Sequence, residues 1–181
     1  MKKLTYIISA SSIAIFILCA LFHFLYKWSD YNLLVGIIAP INESIFQHIK
    51  MIFIPIVLYY LVTYFIFRKN EMININKWAM YPVITFLITS IIIIILYYTL
   101  KYGFSISSMF LDILSLFIGL VASSLICIKL EISKNSFEIP YYISIILILM
   151  LFGLLTLFNF YPREVNFFLD KVNNTYGAVK K

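Results

Sequence analysis

The stretch YPVITFLITSIIIIILYYTL, residues 81–100, contains no Asp, Glu, Lys, Arg or His. Twenty such residues wound as a helix, at about 1.5 Å each, cover about 30 Å, the thickness of a bilayer's hydrocarbon core. The same reading extends outward to Leu4–Tyr26, Glu43–Phe67, Phe104–Ile128 and Pro140–Phe160. The expectation is an all-α, polytopic transmembrane bundle of five helices in one integral membrane domain, residues 1–181. Pro55 inside the second span predicts a bend there. Between the first two spans, Leu33–Ile38 is apolar but too short to cross. It is expected in the interface or tucked against the bundle.

Composition agrees. Apolar residues make up 63% of the chain and charged residues 12%, with a mean hydropathy of +0.99. Soluble domains carry roughly 45–50% and about 25%, so lipid must cover part of this surface. The net charge of +6 comes from bases scattered at span ends, which addresses lipid headgroups rather than nucleic acid. Membrane lipids are therefore the expected partners, in a bacterial cell membrane. With the N-terminus inside, Lys2, Lys3, Arg68, Lys69, Lys77, Lys129 and Lys134 fall on the cytoplasmic side. Lys27, Lys101 and Lys50 face outward, with Arg163, Lys171, Lys180 and Lys181 on the outer tail. This bias predicts N-terminus inside and C-terminus outside. Met1-Lys2-Lys3 before the first span resembles the start of a secretory signal. The apolar run is too long for a typical cleaved signal and no small-x-small site follows, so an uncleaved signal-anchor is expected. Cys19, preceded by Leu18 rather than a small residue, does not make a lipoprotein site; it and Cys127 read as inert packing residues.

Aromatic pairs mark span ends as interfacial anchors: Tyr26 and Trp28, Trp78 and Tyr81, Tyr97 and Tyr98, Tyr141 and Tyr142. In the fourth span Ser115, Gly119 and Ser123 form a small-residue stripe that admits a close neighbour, and Ala10 and Ala14 do the same in the first.

The chemistry concentrates at Pro40-Ile-Asn-Glu-Ser-Ile-Phe-Gln-His-Ile-Lys50. Asn42 is a suitable helix cap, with Glu43 in the first turn. On a helix Glu43, Gln47 and Lys50 then share one stripe, and Ser44 and His48 the next. Ionisable groups on such a face must meet protein or water. His23 near the end of the first span and Asp112 two turns into the fourth fall at the same outer depth, whereas the inner half carries no ionisable residue within the spans. The candidate catalytic groups are Glu43, His48 and Asp112. The candidate substrate-binding groups are His23, Asn42, Ser44, Lys50, Asp170 and Tyr176. Three readings compete: a buried polar network that only fixes packing, a substrate pocket in which His48 acts as base with a carboxylate to orient it, and a Zn²⁺ site using His23, Glu43 and His48. The spacing is not that of an HxxxH or HExxH motif. The tail's Val165–Asp170 is amphipathic and Thr175-Tyr-Gly177 suggests a turn. The segment is expected either to fold over the outer mouth or to lie on headgroups.

His23-Phe-x-Tyr26-x-Trp28, the Pro40–Lys50 string and Asp170 with Thr175-Tyr-Gly177 together resemble a family of small multi-pass membrane proteins of clostridia and related bacteria, a domain of unknown function. The resemblance spans essentially the whole chain. Phe46-Gln47 stands where that pattern has Trp-Glu, which argues against position 47 as an essential metal ligand. Arg163-Glu164-Val165 replaces a proline-rich stretch. The resemblance implies no activity but marks the same residues. Three functions remain open on the sequence: an enzyme acting on a lipid or other membrane-embedded substrate, a small solute-binding or transport subunit, and a structural or accessory protein. The transport reading draws on the Ala10/Ala14 stripe, a device that vitamin-transporter subunits of similar size use to meet a partner.

Overall fold

The computed structural model describes residues 2–70, 73–133, 137–170 and 172–177. Lys134, Lys171, Lys180 and Lys181, invoked for orientation above, lie outside them. The chain forms α1 (Lys2–Trp28), α2 (Leu33–Ile38), α3 (Ile45–Phe67), α4 (Ile75–Tyr98), α5 (Met109–Ile132) and α6 (Tyr141–Phe160). A short antiparallel pair follows, β1 (Leu169–Asp170) and β2 (Thr175–Tyr176), with Leu169 opposite Tyr176. Five of the helices are long and apolar enough to cross a membrane. Helix is the form such segments require, because only internal hydrogen bonds can satisfy the backbone in hydrocarbon. The five expected spans are therefore found, and Leu33–Ile38 is the short sixth helix.

Helix ends differ from expectation in instructive ways. α4 begins at Ile75, capped by Asn74, whose side chain accepts from the Asn76 amide. Trp78 and Tyr81 consequently fall inside the first two turns of α4, on its buried face. They are 3% and 0% exposed, not interfacial anchors. Each polar atom has a partner: Trp78 Nε1 donates to the Tyr60 carbonyl at 2.9 Å and the Tyr81 hydroxyl to Glu131. Because α5 runs to Ile132, Glu131 sits in its last turn, which corrects the expectation that this end holds no ionisable residue. At the other end of α4 the helix widens into a π-helical turn, Thr99–Gly103. It then crosses residues 104–108 with Ser105 left-handed at φ 56° before α5 starts at Met109. The expected start of the fourth span at Phe104 is thus moved by a loop. α3 and α4 continue unbroken through Pro55 and Pro82.

Packing follows the small residues. A Cβ placed on Gly119 would lie 2.9 Å from Thr89 Cγ2 and 3.0 Å from its Cα, so only glycine permits the approach of α5 to α4. Ser115 and Ser123 flank it, both buried. The stripe read from the sequence is therefore the α4–α5 seam. On α1 the buried face is Ile8, Ser11, Ser12, Ile15 and Cys19, and Ala10 faces outward. The Tyr59 hydroxyl ties α3 to α1 through the Ile7 carbonyl at 2.6 Å. The core runs along α1, α3, α4 and α5, and both free cysteines are buried in it. α6 is held at its start by Asn76, whose Oδ1 accepts from the Tyr141 amide at 3.0 Å.

Candidate functional site

The polar groups gather at one end of the bundle, where α1 ends and α3 begins. There α3 starts at Ile45 with Ser44 as its cap; Ser44 Oγ accepts from the Gln47 amide at 3.3 Å. Asn42 acts one step earlier. Its Oδ1 accepts from the Ser44 amide at 3.0 Å, closing an Asx turn, and its Nδ2 donates to the Gly177 carbonyl at 2.8 Å. Glu43 is therefore in the loop preceding the helix, not in its first turn. That single shift separates residues that a continuous helix would have aligned.

Glu43 turns toward the two histidines. Its carboxylate oxygens stand 3.7 Å from His23 Nε2 and 3.5 Å from His48 Nε2. The imidazole rings lie 5.9 Å apart and near parallel, at 29°. His48 Nδ1 is 2.9 Å from the Ser44 carbonyl oxygen. A carbonyl can only accept, so Nδ1 carries the hydrogen, and in the neutral ring Nε2 presents a lone pair to Glu43. The three side chains form an open notch, 31%, 47% and 37% exposed for His23, Glu43 and His48.

Gln47 and Lys50 turn the other way, into the bundle, each 2% exposed. Lys50 Nζ donates to the Gly36 carbonyl at 2.6 Å and to Asn159 Oδ1 at 2.5 Å. Asn159 Oδ1 also accepts from Gln47 Nε2 at 2.9 Å, and its Nδ2 donates to the same Gly36 carbonyl at 3.2 Å. Gln47 Oε1 accepts from the Ile41 amide at 3.2 Å. This closed network joins α2, α3 and α6 beneath the notch. Gly36 is required there, since a Cβ would lie 2.9 Å from Ile41 Cγ2 and 3.1 Å from the Tyr26 ring. Asn159 and Gly36 were not picked out as network members from the sequence. The signals were one Asn in an otherwise apolar turn and one Gly inside an apolar hexapeptide.

Asp112 stands apart from the notch, in the first turn of α5 and exposed. Its carboxylate makes no hydrogen bond or ion pair among the described residues, though it lies within electrostatic reach of His48 and Lys101. It pairs with neither Lys50 nor His23. Asp170 is fully buried and closes the hairpin itself, accepting from the Val172 amide at 2.9 Å and Asn173 Nδ2 at 2.8 Å. Tyr176 is 38% exposed on β2. The turn lies before Thr175-Tyr-Gly177 rather than within it. Gly177, buried at φ 75°, ends the hairpin against Pro162.

The tail packs on this end of the bundle. The Phe167 carbonyl accepts from the Phe46 amide at 3.1 Å, filling one of the helix's orphan donors. Phe168 is buried against Phe46 and Phe158, ring centroids 4.8 and 5.5 Å apart. The described part of the tail thus folds back onto the end of the bundle where α3 begins and α6 ends. A shallow cavity of about 480 Å³ opens between Tyr98, Tyr102 and residues Val165–Phe167. A second, apolar groove of about 190 Å³ lies among Tyr60, Trp78, Pro82, Tyr141 and Ile145. Neither is lined by the histidine–carboxylate notch.

Five apolar helices and a polar cluster confined to one end define a multi-pass membrane protein whose surface contacts lipid. Over residues 1–178 the chain matches the family of unknown function DUF6512 and belongs to it. No curated protein and no solved structure matches.

Proposed function

We propose that this protein is a bacterial cell-membrane enzyme acting on the polar part of a lipid or other membrane-embedded substrate at the His23–Glu43–His48 notch. The observation that carries the reading is the convergence of two imidazoles and one carboxylate from α1, the preceding loop and α3, with the His48 ring fixed through Nδ1. An imidazole is the side chain best suited to taking and returning a proton near neutral pH, and the group that fixes its other nitrogen decides which nitrogen reacts. Here Nε2 is the reacting atom and Glu43 the charge beside it. The notch is open and shallow, at the end of the spanning helices, which suits a headgroup arriving sideways from the leaflet. A midplane site of the sort transporters use would need broken helices; α3 and α4 run through their prolines unbroken. With the N-terminus inside, as the basic residues at the span ends favour, the notch opens on the outer face.

The test is the lipid composition of cells that express the chain from a plasmid. Lipid extracts from cells producing the native sequence should gain or lose a headgroup species relative to cells producing Glu43→Gln or His48→Ala at equal membrane abundance. Identical extracts from all three would remove the enzymatic reading.

A further inference from the structure

The notch contains a contradiction that a proton or a cation must resolve. Because the Ser44 carbonyl takes the His48 Nδ1 hydrogen, the neutral ring turns a lone pair on a carboxylate oxygen 3.5 Å away. Two acceptors facing one another repel. Both imidazole–carboxylate separations, 3.5 and 3.7 Å, exceed a hydrogen bond's length. They are, however, the separations expected of neighbouring ligands around one ion. Atoms about 2.0–2.1 Å from Zn²⁺ at tetrahedral angles stand about 3.3–3.4 Å apart.

We propose that His23 Nε2, Glu43 and His48 Nε2 form a three-ligand site for a divalent transition metal, with Zn²⁺ the best fit. The proposal rests on the notch assigned above as the enzyme's site; with an ion bound, His48 Nε2 serves as a ligand and no longer as the proton carrier. With one ligand atom from each residue, all three lie within 4.8 Å of one another, so the widest pair closes by up to about 1.4 Å to reach the tetrahedral spacing. Two histidines and one carboxylate with an exposed face form the donor set of sites that keep a fourth position for water or substrate, whereas structural zinc sites are closed by four protein ligands. The surroundings match as well. A metal-bound histidine characteristically donates its other ring hydrogen to a carbonyl or carboxylate, as His48 does to Ser44. Glu43 is presented by a loop that Asn42 holds from both sides, through the Ser44 amide and the Gly177 carbonyl. No HxxxH or HExxH spacing marks the site because its ligands come from the end of one helix, a loop and the start of another.

The chain has only two histidines and two cysteines, and both cysteines are buried within the spans. Spectroscopy can therefore assign the ligands without ambiguity. The experiment uses the full chain in detergent, freed of any polyhistidine tag and stripped with a chelator. Zn²⁺ is then titrated against a chromophoric competitor, and X-ray absorption is recorded on the loaded protein. The expected result is one Zn²⁺ per chain, two imidazole nitrogens and oxygen in the first shell, and no sulfur. Glu43→Gln and His23→Asn should each weaken binding by more than the roughly 10–100-fold that loss of a supporting contact costs. Asn42→Ala, which removes only such support, should weaken it less. Sulfur ligation, no saturable binding, or binding unaffected by Glu43→Gln would overturn the proposal. The outcomes separate from the enzymatic reading. Zinc binding without any lipid change defeats that reading alone, and a lipid change produced by a chain that binds no zinc defeats the metal alone.

Discussion

Replacing Asn159 by Leu removes a side chain that makes three hydrogen bonds at the centre of the buried network: from Gln47 Nε2, from Lys50 Nζ and to the Gly36 carbonyl. Interhelical hydrogen bonds in membrane proteins average about 0.6 kcal/mol each, which sets a lower limit near 2 kcal/mol. A bond to a charged group contributes about 1.5–3 kcal/mol, so with an ammonium on Lys50 the total reaches about 4 kcal/mol. Lys50 is buried with no carboxylate in ion-pair range among the described residues, and Asn159→Leu leaves it only the Gly36 carbonyl. Lys50→Met should cost less. The Gly36 carbonyl then keeps Asn159 Nδ2, and Asn159 Oδ1 keeps Gln47, so no acceptor is orphaned. Adding Lys50→Met to Asn159→Leu should therefore restore part of the lost stability, because removing both partners is milder than stranding one. Unfolding in mixed micelles with rising SDS, followed by circular dichroism, measures all four members of the cycle. If Asn159→Leu lies within about 0.5 kcal/mol of the native chain, or if the second substitution deepens its effect, the network does not hold α2, α3 and α6 together.

Gly119→Ala should destabilise by about 1–3 kcal/mol, the usual range for overpacking, because its Cβ meets Thr89 backbone as well as side chain. The same unfolding titration reads it, and Thr89→Ser should relieve only part of the loss by removing Cγ2. Gly177→Ala should weaken the hairpin's hold, since φ 75° costs a residue with a Cβ about 1–2 kcal/mol. Hydrogen exchange at the Phe46 amide, which the neighbouring Phe167 carbonyl protects, should quicken without change in the core of α4. For orientation, a reporter that works only outside the cytoplasm should be active when fused after residue 181, and a cytoplasmic reporter inactive there. The reverse pattern would put the notch on the inner face.

The helices were legible because hydrocarbon leaves a chain of this composition no other form. Their ends were not, because an end is set by which residue finds a cap. Asn42 and Ser44 both have capping chemistry, and the sequence does not say that Asn42 spends its oxygen on an Asx turn and its nitrogen on Gly177. Placing the start of α3 too early put Glu43 in line with Gln47 and Lys50. In the folded chain it joins His48 while they turn inward. The depth argument did bring His23, Glu43 and His48 to one end, since helix rise alone fixes that. It could not separate Asp112 from them, because depth says nothing about rotation around the bundle. Trp78 and Tyr81 were read as interfacial anchors because their partners, the Tyr60 carbonyl and Glu131, lie on other helices. Asn159 was legible as a polar group at the same outer depth, but its place at the centre of a network was not, for the same reason. Its three partners sit on α2 and α3, more than a hundred residues away in the chain.

The most direct test of the central claim is reconstitution of the purified chain into vesicles of bacterial lipid, with the vesicle lipids followed by mass spectrometry over time. With the native sequence a headgroup-altered lipid should accumulate, and with Glu43→Gln it should not, although that variant inserts and unfolds like the native chain. Vesicle lipids that stay unchanged under the native protein, or change equally under Glu43→Gln, would contradict the assignment of lipid chemistry to the His23–Glu43–His48 notch.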